Sequence, residues 1–186
     1  KYIADKVLEY KQKYNLGFAL YGTPSESLCD RFARIDKQEF GDIKGITDKG
    51  YYDNSFHVSS RINISPFEKL RLEAPGHKLA AGGHISYIET DSLKNNLDAV
   101  KDILKYAKSV GIHYMGINQP VDKCHICGYK GEFTATKEGF TCPQCGNHDS
   151  NEMSVIRRVC GYLSQPNARP FNKGKQEEIM HRVKHS

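Results

Sequence analysis

The sequence predicts an α/β fold followed by a small four-cysteine module and a basic helical tail, and three observations predict it. Apolar runs suited to buried strands alternate with segments of helical spacing as far as Pro120. Four of the six cysteines stand as Cys124-His125-Ile126-Cys127 and Cys142-Pro143-Gln144-Cys145, with fourteen residues between the pairs. The net charge of +5 over 186 residues comes entirely from residues 157–186, which hold seven Lys/Arg and two Asp/Glu. A composition of 38% hydrophobic and 26% charged residues excludes disordered and fibrous classes. No charge-free apolar run reaches the roughly 18 residues that span a bilayer, and the first residues lack the pattern of a secretory signal. A start in mid-pattern without Met predicts that the chain is a piece of a longer protein.

The elements follow in order. Ile3, Val7, Tyr10 and Tyr14 recur at helical spacing and predict an amphipathic helix over residues 2–14. Leu16-Gly17-Phe18-Ala19-Leu20-Tyr21 predicts a buried strand. After Gly22, Thr23-Pro24-Ser25-Glu26 reads as a capping box, with Leu28, Phe32 and Ile35 continuing as the apolar face of a helix. Residues 41–65 mix Gly, Asp, Asn and Ser with Tyr51, Tyr52, Phe56 and Val58, predicting a long loop with a short strand. Residues 81–89 predict a glycine turn entering a strand of alternating pattern. Leu97, Val100, Ile103, Leu104 and Ala107 predict a helix over 97–110 closed by Gly111, and residues 112–117 the next strand. His77 and His84 either approach a substrate or serve as structural histidines.

A strand, a Gly turn and an open helix start direct backbone N–H groups and the hydroxyls of Thr23, Ser25 and Ser27 at one spot beyond a strand's carboxyl end, where a phosphate fits. The competing reading is a helix start already satisfied by Glu26. The paired cysteines predict a tetrahedral Zn²⁺ site, with a redox dithiol pair as the alternative; Gly128 and Gly146 reverse the chain after each pair. Four sulfurs complete such a shell, so His125 and His148 are expected beside it. A closed site of this kind is structural and does no chemistry itself.

The tail carries a resemblance. Arg158-Val159-Cys160-Gly161-Tyr162-Leu163, with Asn172-Lys173-Gly174-Lys175-Gln176-Glu177 and Arg182-Val183-Lys184-His185 behind it, resembles the glycyl-radical segment of anaerobic (class III) ribonucleoside-triphosphate reductases. The likeness continues through Leu20-Tyr21-Gly22-Thr23-Pro24-Ser25-Glu26-Ser27, Gly82-Gly83-His84-Ile85 and Ile117-Asn118-Gln119-Pro120-Val121-Asp122. Other glycyl-radical enzymes would share Gly161 but not the cysteine module. A zinc-ribbon nucleic-acid-binding module would share the module and the charge but not the Val-Cys-Gly-Tyr core.

The resemblance implies that residues 1–120 are the C-terminal part of an α/β catalytic barrel, 121–150 a Cys₄ zinc module, and 151–186 the glycyl-radical loop and tail. It implies a radical at Gly161, generated by an activating enzyme that uses S-adenosylmethionine and a 4Fe-4S cluster. A Cβ would crowd the flat geometry that stabilises a Cα radical, which is why glycine suits the position. The radical passes to a cysteine in the N-terminal part of the enzyme, where a nucleotide-sensing domain also lies. Neither is in this sequence, since Cys160 adjoins Gly161 and Cys29 reads as a small buried residue. Tyr21 is placed near the chemistry, and Gly22, Thr23, Ser25 and Ser27 near the triphosphate. The implied reaction converts ribonucleoside triphosphates to deoxyribonucleotides for DNA synthesis, with formate or a small redox protein as reductant, in a cytoplasmic, oxygen-sensitive homodimer. Neither a membrane nor direct DNA binding is expected. The tail would pack within the enzyme or meet the activase.

Overall fold

Helical spacing at the start of the chain becomes α1, Tyr2–Tyr14, closed by Asn15 in the left-handed conformation. The structure, a computed structural model, describes residues 1–23, 28–53, 56–159, 162–164 and 171–185. α2 spans Cys29–Phe40, α3 Pro66–Leu79, β1 Ser86–Glu89, α4 Leu97–Val110 and β2 Met115–Asn118. Short strands follow: β3 Asp122–Cys124, β4 Lys130–Gly131, β5 Thr134–Ala135, β6 Phe140–Thr141, β7 Met153–Ser154, β8 Arg157–Val159 and β9 Tyr162–Ser164. The chain closes with α5, Lys173–His181.

Two compact units divide these elements. The first comprises Lys1–Thr23, Ser55–Asn118 and Lys184–Ser186, the second Pro24–Asn54 and Gln119–Val183. In the first, β1 and β2 pair in parallel, Ser86 opposite Met115 through Glu89 opposite Asn118, with α4 as the crossover. Parallel strands need such a crossover, and the α4 sequence supplies it: Asn96 accepts the Ala99 N–H, and Gly111 ends the helix at φ 86°. Leu70 of α3 packs with Ile88, Ile103 and Ala107 to form the core. Ser86, Tyr87 and Ile88 are all buried, so β1 is covered on both faces and lacks the expected alternation.

Several expectations are corrected. Residues 16–21 form no strand; their pairing is one parallel bridge, Tyr21 to Gly83, flanked by N–H···O bonds from Gly22 to Gly83 and from Gly82 to Leu20. Leu16 and Phe18 are exposed, because a buried strand needs neighbours along both edges and this run has one short contact. α2 is described from Cys29, with Leu28 at its N-cap and no side-chain cap, five residues after Thr23. Pro24 and Glu26 of the expected capping box lie outside the described residues. Its buried face is Cys29 and Ala33, not Leu28, Phe32 and Ile35, since α5 approaches closely enough at Gly174 to demand small residues. Residues 41–65 hold no strand among those described. α3 is an element the sequence reading missed.

In the second unit β3 pairs antiparallel with β4 and β7, β5 with β6, and β8 with β9. Its core gathers Phe133, Phe140, Met153 and Val155 around Cys124 and Cys142. Asn172 caps α5, accepts the Cys29 thiol and donates to Asp30, fastening α5 to α2. Cys29 is thus the small buried residue expected. Among the described residues, no helix is long and apolar enough to cross a membrane.

Candidate functional site

The cysteines are brought together by one hairpin and one turn. β3 delivers Cys124, and the chain turns through Cys127 into β4; β6 delivers Cys142, and the next turn carries Cys145. Gly128 at φ 76° and Gly146 at φ 72° allow both reversals, a conformation that a Cβ would strain. The four Sγ atoms lie within 4.8 Å of one another, with Cys124 to Cys145 and Cys127 to Cys142 each at 3.7 Å. Four sulfurs bound tetrahedrally at about 2.3 Å stand about 3.8 Å apart, so these residues fit a thiolate-bound metal such as zinc. The Cys127 backbone N–H, aided by that of Ile126 and opposed by burial, holds the Cys124 thiol below its ordinary value. The backbone bonds from Tyr129 and Asn147 pull Cys127 and Cys145 down, but burial and the neighbouring sulfurs push both up, as four close free thiols share one negative charge. Asn147 donates to Cys124 Sγ at 3.7 Å and to the Glu152 carbonyl at 3.3 Å. His125 faces Ser154 Oγ at 3.0 Å rather than the sulfurs.

Of the other predicted site residues, Tyr21, Gly22 and Thr23 are described, whereas Ser25, Ser27 and Gly161 lie outside the described residues, as does Cys160. Tyr21 is 64% exposed at the rim of an open cavity of about 820 Å³ whose walls, among them Ile3, Leu20, Phe56 and Leu79, are mostly apolar. Gly22 and Thr23 line the same cavity. The Gly22 N–H is spent on the Gly83 carbonyl at 2.9 Å and is not open to a ligand.

His77 and His84 are buried at 1% and 5% exposure. Glu73 accepts from the Val58 N–H at 2.8 Å, from Lys69 and from Ser86 Oγ, while His77 Nε2 meets Ser86 Oγ at 2.8 Å. Burial pushes the Glu73 carboxyl up, but Lys69, His57 and Ser86 outweigh it and leave it below its ordinary value. Burial, reinforced by His57 and His77, lowers His84 to about 3, so it is neutral.

Sequence reasoning also missed the carboxyl ends of β1 and β2. There Asn118 Nδ2 donates to both oxygens of Glu89, at 3.0 and 2.9 Å. His185 exchanges two bonds with the Glu89 backbone, its N–H to the carbonyl at 2.8 Å and its Nδ1 from the N–H at 2.9 Å. The available signal was positional: parallel strands present functional residues at their carboxyl ends.

A family model described as anaerobic ribonucleoside-triphosphate reductase matches residues 1–185. The chain is 52% identical over 177 residues to the anaerobic ribonucleoside-triphosphate reductase of Escherichia coli (strain K12), covering 95% of this chain and 25% of that protein. It is 51% identical over 177 residues to the protein of the same name from Enterobacteria phage T4, covering 95% and 29%. The chain therefore spans about a quarter of the length of these relatives. A solved anaerobic ribonucleotide reductase superposes with a TM-score of 0.73 at 21% identity, over 99% of this chain and 27% of that one. The Thermotoga maritima enzyme with glycerol in its active site gives 0.62 at 22% identity, over 95% and 26%. At such identities these two show the fold, an α/β arrangement shared with those enzymes.

Proposed function

This chain belongs to the anaerobic ribonucleoside-triphosphate reductase family, and on that premise we propose that it is the radical-storing, metal-bearing C-terminal portion of such an enzyme. The family match over residues 1–185 carries the reading; the four-sulfur cluster supports it, because other glycyl-radical enzymes give no reason for that module shortly before Gly161 in the sequence.

In this reading Gly161 loses a Cα hydrogen atom to an activating enzyme that uses S-adenosylmethionine and a 4Fe-4S cluster. The glycyl radical takes the hydrogen of a cysteine thiol in the N-terminal portion. The resulting thiyl takes the 3′ hydrogen of the ribose, the 2′ hydroxyl leaves as water, and formate or a small redox protein supplies the electrons. Residues 1–120 belong to the catalytic barrel, 121–150 to the zinc module, and 151–186 to the radical loop and tail. Tyr21 stands near the reacting sugar, with Gly22, Thr23, Ser25 and Ser27 near the triphosphate. Cys124, Cys127, Cys142 and Cys145 hold Zn²⁺, which when bound closes both cysteine turns and does no redox chemistry. The assembled enzyme is a cytoplasmic homodimer.

The test is an anaerobic EPR spectrum of this chain combined with the N-terminal portion, the activase and S-adenosylmethionine. A doublet in the wild type that vanishes in Gly161→Ala is expected. A folded, metal-loaded complex that gives no doublet would overturn the assignment of Gly161.

A further inference from the structure

We infer that Asp122 and Arg157 are positioning residues that tie the cysteine module to the strand leading into Gly161; the functional half of this inference rests on the radical reading above. Asp122 is 2% exposed and Arg157 6%, and the two form a buried ion pair. One Asp122 oxygen accepts the Phe133 N–H at 2.7 Å, and the other accepts the Ile156 N–H at 3.3 Å together with the guanidinium. The guanidinium also donates to the carbonyls of Phe133 and Ile156, each at 3.3 Å, and lies 5.2 Å from the centre of the Phe140 ring.

The placement of these partners is what matters. Asp122 precedes Cys124 by two residues on β3, and Phe140 precedes Cys142 by two residues along β6. Arg157 therefore touches the two strands that lead to Cys124 and Cys142, each time two residues ahead of that ligand. It opens β8, which pairs with β9 in the register Arg157 to Ser164, Arg158 to Leu163 and Val159 to Tyr162, so that only residues 160 and 161 connect the two strands. On the next residue the Arg158 carbonyl accepts from Arg182 at 2.9 Å, and Arg182 is itself paired with Glu178. β8 is fixed by its first side chain to the module and by its second carbonyl to the tail.

Holding two strands together does not require this pair, because apolar side chains of similar volume do it as well or better. A guanidinium adds direction: its planar fork fits a carboxylate and two carbonyls in one orientation only. Drawing the four thiolates into one shell fixes β3 and β6, and with them the seat in which Arg157 lies. The state of the module is thereby passed to the register of β8.

The experiment compares wild type, Arg157→Lys and the double variant Asp122→Leu/Arg157→Met, each as the full chain combined with the N-terminal portion. Zinc per chain, thermal midpoint, hydrogen exchange across residues 156–164 and 122–145, and radical yield at saturating activase are read together. The double variant removes both charges and so avoids stranding a buried carboxylate. It is expected to keep its zinc and the protection of 122–145 apart from the Phe133 amide, whose acceptor is Asp122, to lose protection over 157–164 beyond the Ile156 amide that Asp122 also held, and to lose about tenfold in radical yield, within the roughly 10²-fold that a misplacement of about 1 Å can cost. Should the double variant fail to fold, Arg157→Lys decides, with the same changes expected at smaller size. Unchanged exchange over 157–164 in a zinc-loaded variant overturns the tether. Loosened exchange with wild-type radical yield overturns the positioning role. If the wild type itself gives no doublet, the radical reading fails and the exchange result alone decides the tether.

Discussion

His84 is enclosed with both ring nitrogens unpartnered, its ring centre 3.6 Å from that of Phe56, with His57 and His77 at 4.8 and 5.0 Å. Glu73 and Lys69 are the remaining charges that act on it. A neutral histidine suffers least in such a site, and the value of about 3 means that it stays neutral while the unfolded chain takes up a proton below about pH 6.5. The sign follows: the unfolded state binds the extra proton, so stability is complete above that unfolded value and falls with pH until the folded value is reached. His77, also lowered by burial, acts in the same direction. Between about pH 7.5 and 5.5 the His84 contribution falls by about 1.4 kcal/mol. His84→Phe is expected to remove that part of the slope, since an apolar ring leaves no polar atom unpaired. The difference between wild-type and variant urea midpoints at the two pH values measures it, and parallel slopes would contradict it.

At the scale of elements, the α2–α5 contact is close at its backbone. A Cβ at Gly174 would stand 2.8 Å from Asp30 Cβ and 3.1 Å from both the Asp30 nitrogen and Tyr51 Cβ. Gly→Ala within a helix ordinarily stabilises by up to about 1 kcal/mol. Here the neighbours are backbone and Cβ atoms that cannot swing aside, so Gly174→Ala is expected to cost about 1–3 kcal/mol as overpacking. A lower thermal midpoint and faster thiol labelling of Cys29 would show α5 lifted from α2; an unchanged labelling rate would count against it. This contact also explains what the sequence could reveal. Periodicity found α4 because local pattern and tertiary burial agree there, and found α1 by its spacing alone, since α1 buries no residue; Cys spacing found the metal cluster because the metal's own geometry sets the spacing. For α2 the apolar stripe of Leu28, Phe32 and Ile35 pointed to the wrong face, since burial there follows the small residues that α5 admits. α3 lay in plain view as a capping box, Ser65-Pro66-Phe67-Glu68, with Ser65 Oγ accepting the Glu68 N–H at 3.1 Å. Its interior obscured it: Pro75 and Gly76 break the helical pattern, and its buried face carries Lys69, Glu73 and His77, of which Lys69 pairs with Glu73 within the helix while Glu73 and His77 also bond Val58 or Ser86 from outside it. Asp122 and Arg157 were illegible for the same reason, being thirty-five residues apart and joined only by the fold.

Over the whole molecule, what distinguishes the two units is what their cores are made of. The first closes on Leu70, Ile88, Ile103 and Ala107, none of which binds a metal. The second counts Cys124 and Cys142 among its six most central residues, so its core and its cluster are one structure. Thiolate-bound zinc contributes on the order of 10–16 kcal/mol in small zinc domains, as much as the whole stability of an ordinary domain. Its removal should therefore dissolve the second core and leave the first. The exposed Tyr2, Ile3, Leu8, Leu16 and Phe18 belong to the first unit, but they lie outside its core and depend on no metal. Hydrogen exchange after chelation, or in Cys142→Ser shown to be metal-free, is expected to rise steeply over residues 122–155 while α3, β1, α4 and β2 keep their protection. Restoring zinc to the chelated wild type should recover the lost protection, whereas Cys142→Ser, with three sulfurs, should not recover it. Equal loss across both units would mean that the molecule unfolds as one cooperative block, and no loss in 122–155 would mean that the apolar residues around the sulfurs suffice without the ion. The radical reading depends on which holds, because the strands that flank Gly161 in sequence lie wholly within the metal-dependent unit.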